Sequence, residues 1–336
     1  MSEEAIAELK QLLAGPKGVV CTTHFNPDGD AMGSTLGLVQ ALRKLGHDAH
    51  AVLPNIPPGF LQWMPGYAQA VAADKDIERA EELLLASDVL FCLDHNTPDR
   101  VGPLQQALER HPLKVMVDHH QDPSDMATIM FSDTASGSTA QLVFDLLVAL
   151  GAKHVIDTEI ATCLYTGIMT DSGSFRFGST TAHTHRVAAE LLESGVRPDQ
   201  VYNAVMDNSS EQRLRLLGHA LSNRLDVIPD LGVAIMALSA QELKDHGFKL
   251  GDTEGFVNYG LGIRNIRLSA LFMEAGEIVK ISLRSIGDLP VDLLARTHFL
   301  GGGHRNAAGG RSEESLDATI ERFRSLLPDF LNEHGP

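Results

Sequence analysis

Short apolar runs alternate with helix-like stretches over the first 135 residues. The runs that predict β-strands lie at 18–23, 49–53, 89–94, 113–118 and 128–132. The stretches between them with apolar residues at helical spacing lie at 32–45, 77–85 and 103–109. The runs at 89–94 and 113–118 are almost continuously apolar, which is typical of strands covered on both faces. The pattern therefore predicts an α/β fold with a doubly wound, mostly parallel sheet.

Helical patterns then take over, and a second unit begins near residue 231. The next predicted helices span 138–150, 159–170, 183–194 and 209–225. The second unit is predicted to contain strands at 233–238, 266–273 and 278–283, helices at 240–246 and 315–327, and a glycine-rich loop at 301–309. We expect a doubly wound domain over 1–195, a helical linker over 196–228 and a smaller α/β domain over 229–336.

Composition narrows the class of protein. The 336 residues are 43% hydrophobic, which is enough for true cores, and carry a net charge of −17. A chain this acidic is not expected to bind long duplex nucleic acid, because such binding needs many cationic contacts to phosphates. A local basic pocket for a short nucleotide is still compatible with the net charge. No apolar run approaches the ~18 residues of a membrane span. The three cysteines are too few for a disulfide framework, and the acidic start lacks signal-peptide features, so we expect a cytoplasmic protein without membrane contact.

Ionisable residues follow the predicted strands where these end. His24, Asp28 and Asp30 follow the first strand, Asp94 ends the third, and Asp171 follows an apolar helix. Three consecutive groups, Asp118, His119 and His120, end the fourth strand. Helix capping, a turn or helix termination would each account for one of the carboxylates taken alone. Three adjacent ionisable groups at the end of a buried strand are costly unless they are paired or bound to metal.

Strand ends of one parallel sheet meet in the same crevice, so these groups should converge. Six of them have the nitrogen and oxygen donors that suit manganese, with magnesium or zinc as alternatives: His24, Asp28, Asp30, Asp94, His119 and Asp171. Six ligands exceed the needs of one ion, but two ions that share a carboxylate would use them. Paired ions clamp the attacking and leaving oxygens of phosphoryl transfer and lower the pKa of bound water.

The second unit has its own candidate for anion binding. Between residues 255 and 311 the basic residues outnumber the acidic ones, which reverses the sign of the whole chain. The run GGGHRNAAGG at 301–310 can expose backbone N–H groups to an anion, although a merely flexible loop is the alternative. Arg284 lies at a strand end, where its guanidinium could pair with phosphate. The candidate substrate-binding residues are Arg264, Arg284, Gly302, Gly303, His304 and Arg305.

The motifs HFNPDGDAMGS, LDHN, VDHH and MTDSGSFRF, in this order, resemble the four motifs of the DHH phosphoesterase superfamily. GGGHRNAAGG is similar to the signature of the DHH-associated C-terminal domain, and the layout resembles the nanoRNase/pAp phosphatase branch. The resemblance implies that His24, Asp28 and Asp94 hold one metal, while Asp30, Asp94, His119 and Asp171 hold the other. It further implies that His120 contacts the scissile phosphate and that Asp118 orients a histidine. His95, beside Asp94, departs from the family's motif at that position, so the resemblance assigns it no role.

This resemblance implies a phosphoesterase that uses two divalent ions, with Mn²⁺ expected and Mg²⁺ or Co²⁺ as alternatives. The expected substrates are short oligoribonucleotides, including linear dinucleotides such as pApA and pGpG, and 3′-phosphoadenosine 5′-phosphate (pAp). A homodimer is compatible with the family. The alternatives are a pyrophosphatase or exopolyphosphatase of the same superfamily and a nucleotide-binding regulator without activity. The signature of the pyrophosphatases' second domain is absent, and none of the six ligand positions is lost.

Overall fold

The structure is a computed structural model, and it describes residues 2–334 of the chain. Contacts divide it into two compact units, and the division falls between Asn208 and Ser209. The predicted linker over 196–228 includes residues on both sides of this division, and its bounds stay a prediction.

The first unit contains one six-stranded sheet in which every strand pair is parallel. Its strands follow the order β3-β2-β1-β4-β5-β6, which is the order of a doubly wound sheet. The strands are β1 Gly18–Thr22, β2 Asp48–Leu53, β3 Val71–Ala72, β4 Val89–Leu93, β5 Lys114–Asp118 and β6 Ile129–Ser132. The predicted fold class is confirmed, and all of its predicted strands are present. The sequence pattern did not predict the two-residue β3.

Helices cover both faces of this sheet. They are α1 Glu3–Leu12, α2 Gly29–Lys44, α3 Ile77–Ala86, α4 Gln105–Arg110, α5 Thr139–Ala149, α6 Thr158–Asp171, α7 Ala182–Glu193 and α8 Pro198–Val205. The larger core lies between the sheet and the face that carries α2, α5 and α6, and a smaller core lies under α3 and α4. Every residue of β4 is buried, as expected for a strand covered on both faces.

The structure adds two features to the predicted pattern of this unit. The acidic start forms α1, whose Ser2 side chain accepts a hydrogen bond from Ala5 N and so caps the helix. The helix predicted over 103–109 is present as the end of a 3₁₀ segment, Pro98–Leu104, and α4. Gly102, at φ 54° and ψ −116°, breaks helical geometry within the 3₁₀ segment, just before the predicted helix.

Glycines bring α2, α5 and α6 together closely. A Cβ atom on Gly33 of α2 would lie 2.5 Å from the carbonyl oxygen of Cys163 in α6. A Cβ atom on Gly167 of α6 would lie 2.6 Å from the Cβ atom of Ala140 in α5 and 2.9 Å from Asp30 Oδ1 in α2. The backbones can approach this closely only because the side chains are absent. The contact places Asp30 beside the beginning of α5 and the end of α6.

The second unit is built on a mixed six-stranded sheet. Its strands are β7 Leu225–Ile228, β8 Val233–Leu238, β9 Leu268–Ala275, β10 Ile278–Ser285, β11 Gly302–His304 and β12 Ala307–Ser312. They follow the order β11-β12-β10-β9-β8-β7, in which only β8 and β9 are parallel. The helices of this unit are α9 Glu211–Asn223, α10 Ala240–Asp245, α11 Phe256–Gly260, α12 Val291–His298 and α13 Leu316–His334. The smaller α/β domain that the sequence predicts is therefore present.

The glycine-rich segment differs from its expectation as a loop. It forms a β-hairpin in which Gly302 pairs with Gly309 and His304 pairs with Ala307. Its glycines are needed for close packing, because a Cβ atom on Gly301 would lie 2.1 Å from the carbonyl oxygen of Gly309. Since β11 is the edge strand, some of its N–H groups still point away from β12.

Within residues 2–334, no helix combines the length and the apolar character that crossing a membrane requires.

Candidate functional site

A first cluster lies where β1 leads into α2 and contains His24, Asp28 and Asp94, with candidate ligand atoms within 4.8 Å of one another. His24 Nδ1 lies 2.9 Å from the carbonyl oxygen of Phe25, so this nitrogen must be the donor. His24 Nε2 therefore faces Asp94 Oδ2 at 3.6 Å and Asp28 Oδ1 at 3.8 Å. Asp28 also caps α2, because its Oδ1 accepts two backbone N–H groups of the first turn at 3.0 Å. Capping and ligation are thus compatible at this residue.

A second cluster contains Asp30, His119 and Asp171. His119 Nδ1 donates to the carbonyl of Ser136 at 3.1 Å, so Nε2 faces Asp171 Oδ2 at 3.3 Å and Asp30 Oδ2 at 3.7 Å. The two carboxylate oxygens of Asp30 accept the first two N–H groups of α5 at 2.6 and 2.8 Å. Asp171 is the last residue of α6, where the helix dipole disfavours an acid. The location of Asp171 is therefore unfavourable for the helix and suited to a ligand.

Asp94 lies between the two clusters. Its Oδ2 is 3.6 Å from His24 Nε2, and its Oδ1 is 3.6 Å from His119 Nε2. The residue follows β4 directly and has φ 60°, a left-handed conformation that Asp adopts more readily than most residues. The two oxygens of this carboxylate thus face different clusters, which is the arrangement that a bridging ligand needs.

His120 and Asp118 form a buried pair beside Asp94. Asp118 Oδ1 accepts from His120 Nδ1 at 2.8 Å, and Oδ2 accepts from His120 N at 2.9 Å. Two hydrogen bonds from one residue hold the imidazole in a single orientation, with Nε2 directed away from Asp118. His120 Nδ1 also lies 3.7 Å from Asp94 Oδ1.

The carboxylates at this site carry more negative charge than the imidazoles neutralise. Burial, together with the nearby carboxylates of Asp94 and Asp171, raises the pKa of Asp30 well above its usual range. Burial acts in the same direction on Asp94, but the imidazoles of His24 and His120 outweigh it and hold the pKa of Asp94 well below its usual range. Burial opposes the charge of His24 too, yet neighbouring carboxylates raise its pKa to about 10. Such an excess of buried negative charge favours cations.

The residues that the sequence proposes for substrate binding lie in the second unit. Arg284 of β10 pairs with Ala307 of β12, which pairs with His304 of β11, so Arg284 and His304 lie in one cross-strand row. The Arg284 guanidinium donates to the carbonyl of Leu283 at 3.0 Å. Arg305 lies in the hairpin turn and donates to the carbonyl of Asp288 at 2.7 Å. Gly302 and Gly303 belong to β11, and Arg264 lies between α11 and β9.

Sequence interpretation missed one residue of the site. The run SGST at 136–139 has the pattern of a helix cap, and Ser138 does cap α5 by accepting from Gln141 N at 3.1 Å. The next residue, Thr139, additionally donates its hydroxyl to Asp94 Oδ1 at 2.9 Å. A polar run before an apolar helix is the ordinary capping pattern, so the sequence held no signal for this contact.

His95 is buried beside Asp94. Its Nδ1 donates to the carbonyl of Thr97 at 3.2 Å, and no hydrogen-bond partner reaches Nε2 among residues 2–334. Burial lowers the pKa of His95 to about 4, which keeps the ring neutral.

Comparisons with known proteins agree with the order of the units. Residues 18–168 match the DHH family, N-terminal domain, and residues 230–333 match the DHHA1 domain. The bifunctional oligoribonuclease and PAP phosphatase NrnA of Thermus thermophilus is 32% identical over 331 residues, which cover 98% of this chain and 94% of that protein. The chain belongs to the DHH phosphoesterase superfamily. Within this superfamily it is NrnA-like, as the resemblance of its motifs implies.

Other relatives support the same placement. The NrnA of Bacillus subtilis is 26% identical over 321 residues, which cover 94% of this chain and 95% of that protein. The crystal structure of an exopolyphosphatase-related protein from Bacteroides fragilis has a TM-score of 0.94 and 36% identity, covering 98% of this chain and 97% of that one. This DHH protein is therefore a hydrolase, and DHH phosphoesterases use divalent metal ions.

Proposed function

We propose that this DHH protein hydrolyses short oligoribonucleotides, including pApA and pGpG, to mononucleotides, and pAp to AMP and phosphate, with two Mn²⁺ ions in the cytoplasm. The observation that carries the proposal is the pair of ligand clusters with Asp94 between them, since its two oxygens lie 3.6 Å from His24 Nε2 and from His119 Nε2. The NrnA relatives, which are named for oligoribonuclease and PAP phosphatase activity, supply the substrate class. Mg²⁺ or Co²⁺ would suit the same donors.

The donor chemistry of both clusters fits a pair of such ions. Both His24 and His119 commit Nδ1 to a backbone carbonyl, which leaves Nε2 as the nitrogen that could ligate a metal beside the carboxylates. Metal-ligating histidines in proteins show this arrangement, because the second nitrogen fixes the tautomer and the ring orientation. Asp30, which is 1% exposed among neighbouring carboxylates, is costly to ionise without a cation nearby.

Each residue then has a defined function. His24 and Asp28 would hold one ion, Asp30, His119 and Asp171 the other, and Asp94 both. When bound, the ions would polarise the phosphate and lower the pKa of water. His120, with its ring held by Asp118, would donate a hydrogen bond from Nε2 to the scissile phosphate or to the leaving group.

The second unit would hold the rest of the substrate. Arg284 and His304, in one cross-strand row, offer a guanidinium and an imidazole to a phosphate, and the N–H groups of Gly302 and Gly303 lie on the edge strand beside them. Arg305 and Arg264 add exposed positive charge. Because this basic region is small in a chain of net charge −17, we expect a limit of a few nucleotides and no binding of long duplexes. A homodimer is compatible with the proposal.

Asp94→Asn tests the shared carboxylate. Asn tolerates the left-handed backbone of Asp94, so the variant should fold, yet its amide cannot bridge two cations. We expect the Mn²⁺-loaded variant to lose at least the roughly 10–100-fold of activity on pAp and pApA that removal of a ligand's hydrogen-bond partner costs. The matched control is Asp76→Asn, since Asp76 caps α3 and Asn caps a helix equally well. Near wild-type turnover by Asp94→Asn would overturn the two-metal assignment.

A substrate panel tests the specificity. Metal-stripped protein reloaded with Mn²⁺ would be given pAp, pApA, a long RNA and pyrophosphate, and the release of mononucleotide and phosphate would be followed. The proposal expects turnover of pAp and pApA, with the long RNA and pyrophosphate spared. Cleavage of pyrophosphate alone would overturn the proposed substrates and leave the metal clusters unaffected.

A further inference from the structure

We propose that Thr139 is a positioning residue that sets the orientation of Asp94, the carboxylate that lies between the two ligand clusters. The inference rests on the proposed two-metal function and adds to it a residue outside the candidate ligand clusters. Ser138 accounts for the cap of α5, so capping gives the Thr139 hydroxyl no role, and the inference supplies one.

The hydroxyl of Thr139 determines which way the Asp94 carboxylate turns. Oγ1 donates to Asp94 Oδ1 at 2.9 Å, and both residues are at most 2% exposed. The last torsion of an Asp side chain is broad and nearly two-fold, so the carboxylate needs an external contact to hold it. With Oδ1 held, Oδ1 faces His119 Nε2 at 3.6 Å and Oδ2 faces His24 Nε2 at 3.6 Å. One hydrogen bond therefore directs one oxygen at each cluster.

The backbone around Thr139 holds two further candidate ligands. Thr139 N donates to Asp30 Oδ2 at 2.6 Å, and Ala140 N donates to Oδ1 at 2.8 Å. The carbonyl of Ser136 accepts from His119 Nδ1 at 3.1 Å. The segment 136–140 thus contacts ligands that come from α2, from the end of β4 and from the end of β5. Only the contact to Asp94 uses the threonine side chain, so substitution can remove it alone.

Thr139→Val removes the hydroxyl and keeps the branched shape and the backbone bonds. Hydrogen bonds that orient metal ligands are typically worth about 10–100-fold in affinity or activity. We therefore expect the weaker of two Mn²⁺ dissociation constants to rise about 10–100-fold and kcat on pAp to fall over the same range. Thr139→Ser, which keeps the hydroxyl, should restore both values toward those of wild type.

The experiment is a titration of metal-free protein with Mn²⁺, followed by the EPR signal of free Mn²⁺, which reports stoichiometry and affinity without any turnover. The matched control is Thr166→Val, since Thr166 is fully buried and donates its hydroxyl to the backbone carbonyl of Thr162 at 2.7 Å. Folding of each variant is checked by circular dichroism. If Thr139→Val does not fold, Thr139→Ala removes the same hydroxyl with a smaller side chain.

The outcomes separate this inference from the proposed function. Weakened Mn²⁺ binding in Thr139→Val, with rescue by Thr139→Ser and no change in Thr166→Val, supports it. If wild type binds two ions and Thr139→Val binds them with equal affinity, the inference is overturned and the proposed function is unaffected. A wild type that binds fewer than two ions would overturn both.

Discussion

Gly33→Ala tests whether the close approach of α2 and α6 builds the site. An added Cβ atom would lie 2.5 Å from the carbonyl oxygen of Cys163 and 2.8 Å from the backbone nitrogen of Gly167, both in α6. Ordinary van der Waals contact begins near 3.4 Å. Because the opposing atoms are backbone and cannot rotate away, the helices would have to separate by roughly 1 Å. That displacement would move Asp30 of α2 relative to Asp171 of α6.

The expected change in stability is the difference of two opposing terms. Replacing glycine by alanine within a helix stabilises it by about 1 kcal/mol. Overpacking a well-packed core costs about 1–3 kcal/mol, and a clash between two backbones belongs at the upper end of that range. We therefore expect Gly33→Ala to lose about 2 kcal/mol of unfolding free energy. With a urea dependence of about 2 kcal/mol/M, the unfolding midpoint should fall by about 1 M.

Trp63 fluorescence is the assay for the first unit, because Trp63 is the chain's single tryptophan and lies in that unit. Gly218→Ala is the matched control: Gly218 lies in α9 of the second unit, and nothing is within 4 Å of its added Cβ atom. This control should gain about 1 kcal/mol of stability by circular dichroism. A Gly33→Ala midpoint equal to or above that of wild type would refute the reasoning, because it would mean that α2 and α6 accommodate the methyl group without cost.

Two further predictions concern the second unit. The pKa of Glu242 is lowered to about 2, because hydrogen bonds from Ser239, His219 and Arg224 outweigh the effect of burial. The stability that ionised Glu242 contributes is therefore fully present above pH 4.5 and lost as the pH falls toward 2. The difference in unfolding free energy between wild type and Glu242→Gln should narrow from pH 7 to pH 3, and a constant difference would contradict this. Arg284→Ala should raise KM for pAp more than it lowers kcat if the guanidinium binds substrate and transition state alike, and a pure loss of kcat would instead place it on the reacting phosphate.

The sheet of the first unit was predictable because its strands are buried on both faces. The runs that form β4 and β5 are almost continuously apolar, and parallel topology then forces their ends to the same edge. Convergence of His24, Asp94 and His119 follows from that topology. Two elements have too few buried apolar residues to be predicted from the sequence pattern. The strand β3 has only two residues, and in the helix α1 only Leu9 is buried.

The glycine-rich hairpin was missed for a different reason. Glycine usually indicates a turn or a flexible loop, so the run 301–309 was predicted to be one. In the structure a Cβ atom on Gly310 would lie 2.6 Å from the carbonyl oxygen of Phe299, which again leaves no room for a side chain. These glycines therefore serve close packing between strands and the preceding chain, which local sequence cannot report because the partners become neighbours only after folding.

Capping and metal ligation were treated as alternatives along the sequence, and the structure shows why they need not be. Asp28 caps α2 with its Oδ1 and also faces His24, while Ser138 caps α5 and the next residue bonds Asp94. A helix N-terminus attracts carboxylates through its free N–H groups, so α2 and α5 orient acids at the point where they begin. The glycine contacts then bring these two beginnings and the end of α6 to one place. The packing of three helices, rather than any single motif, gathers the acids around Asp94.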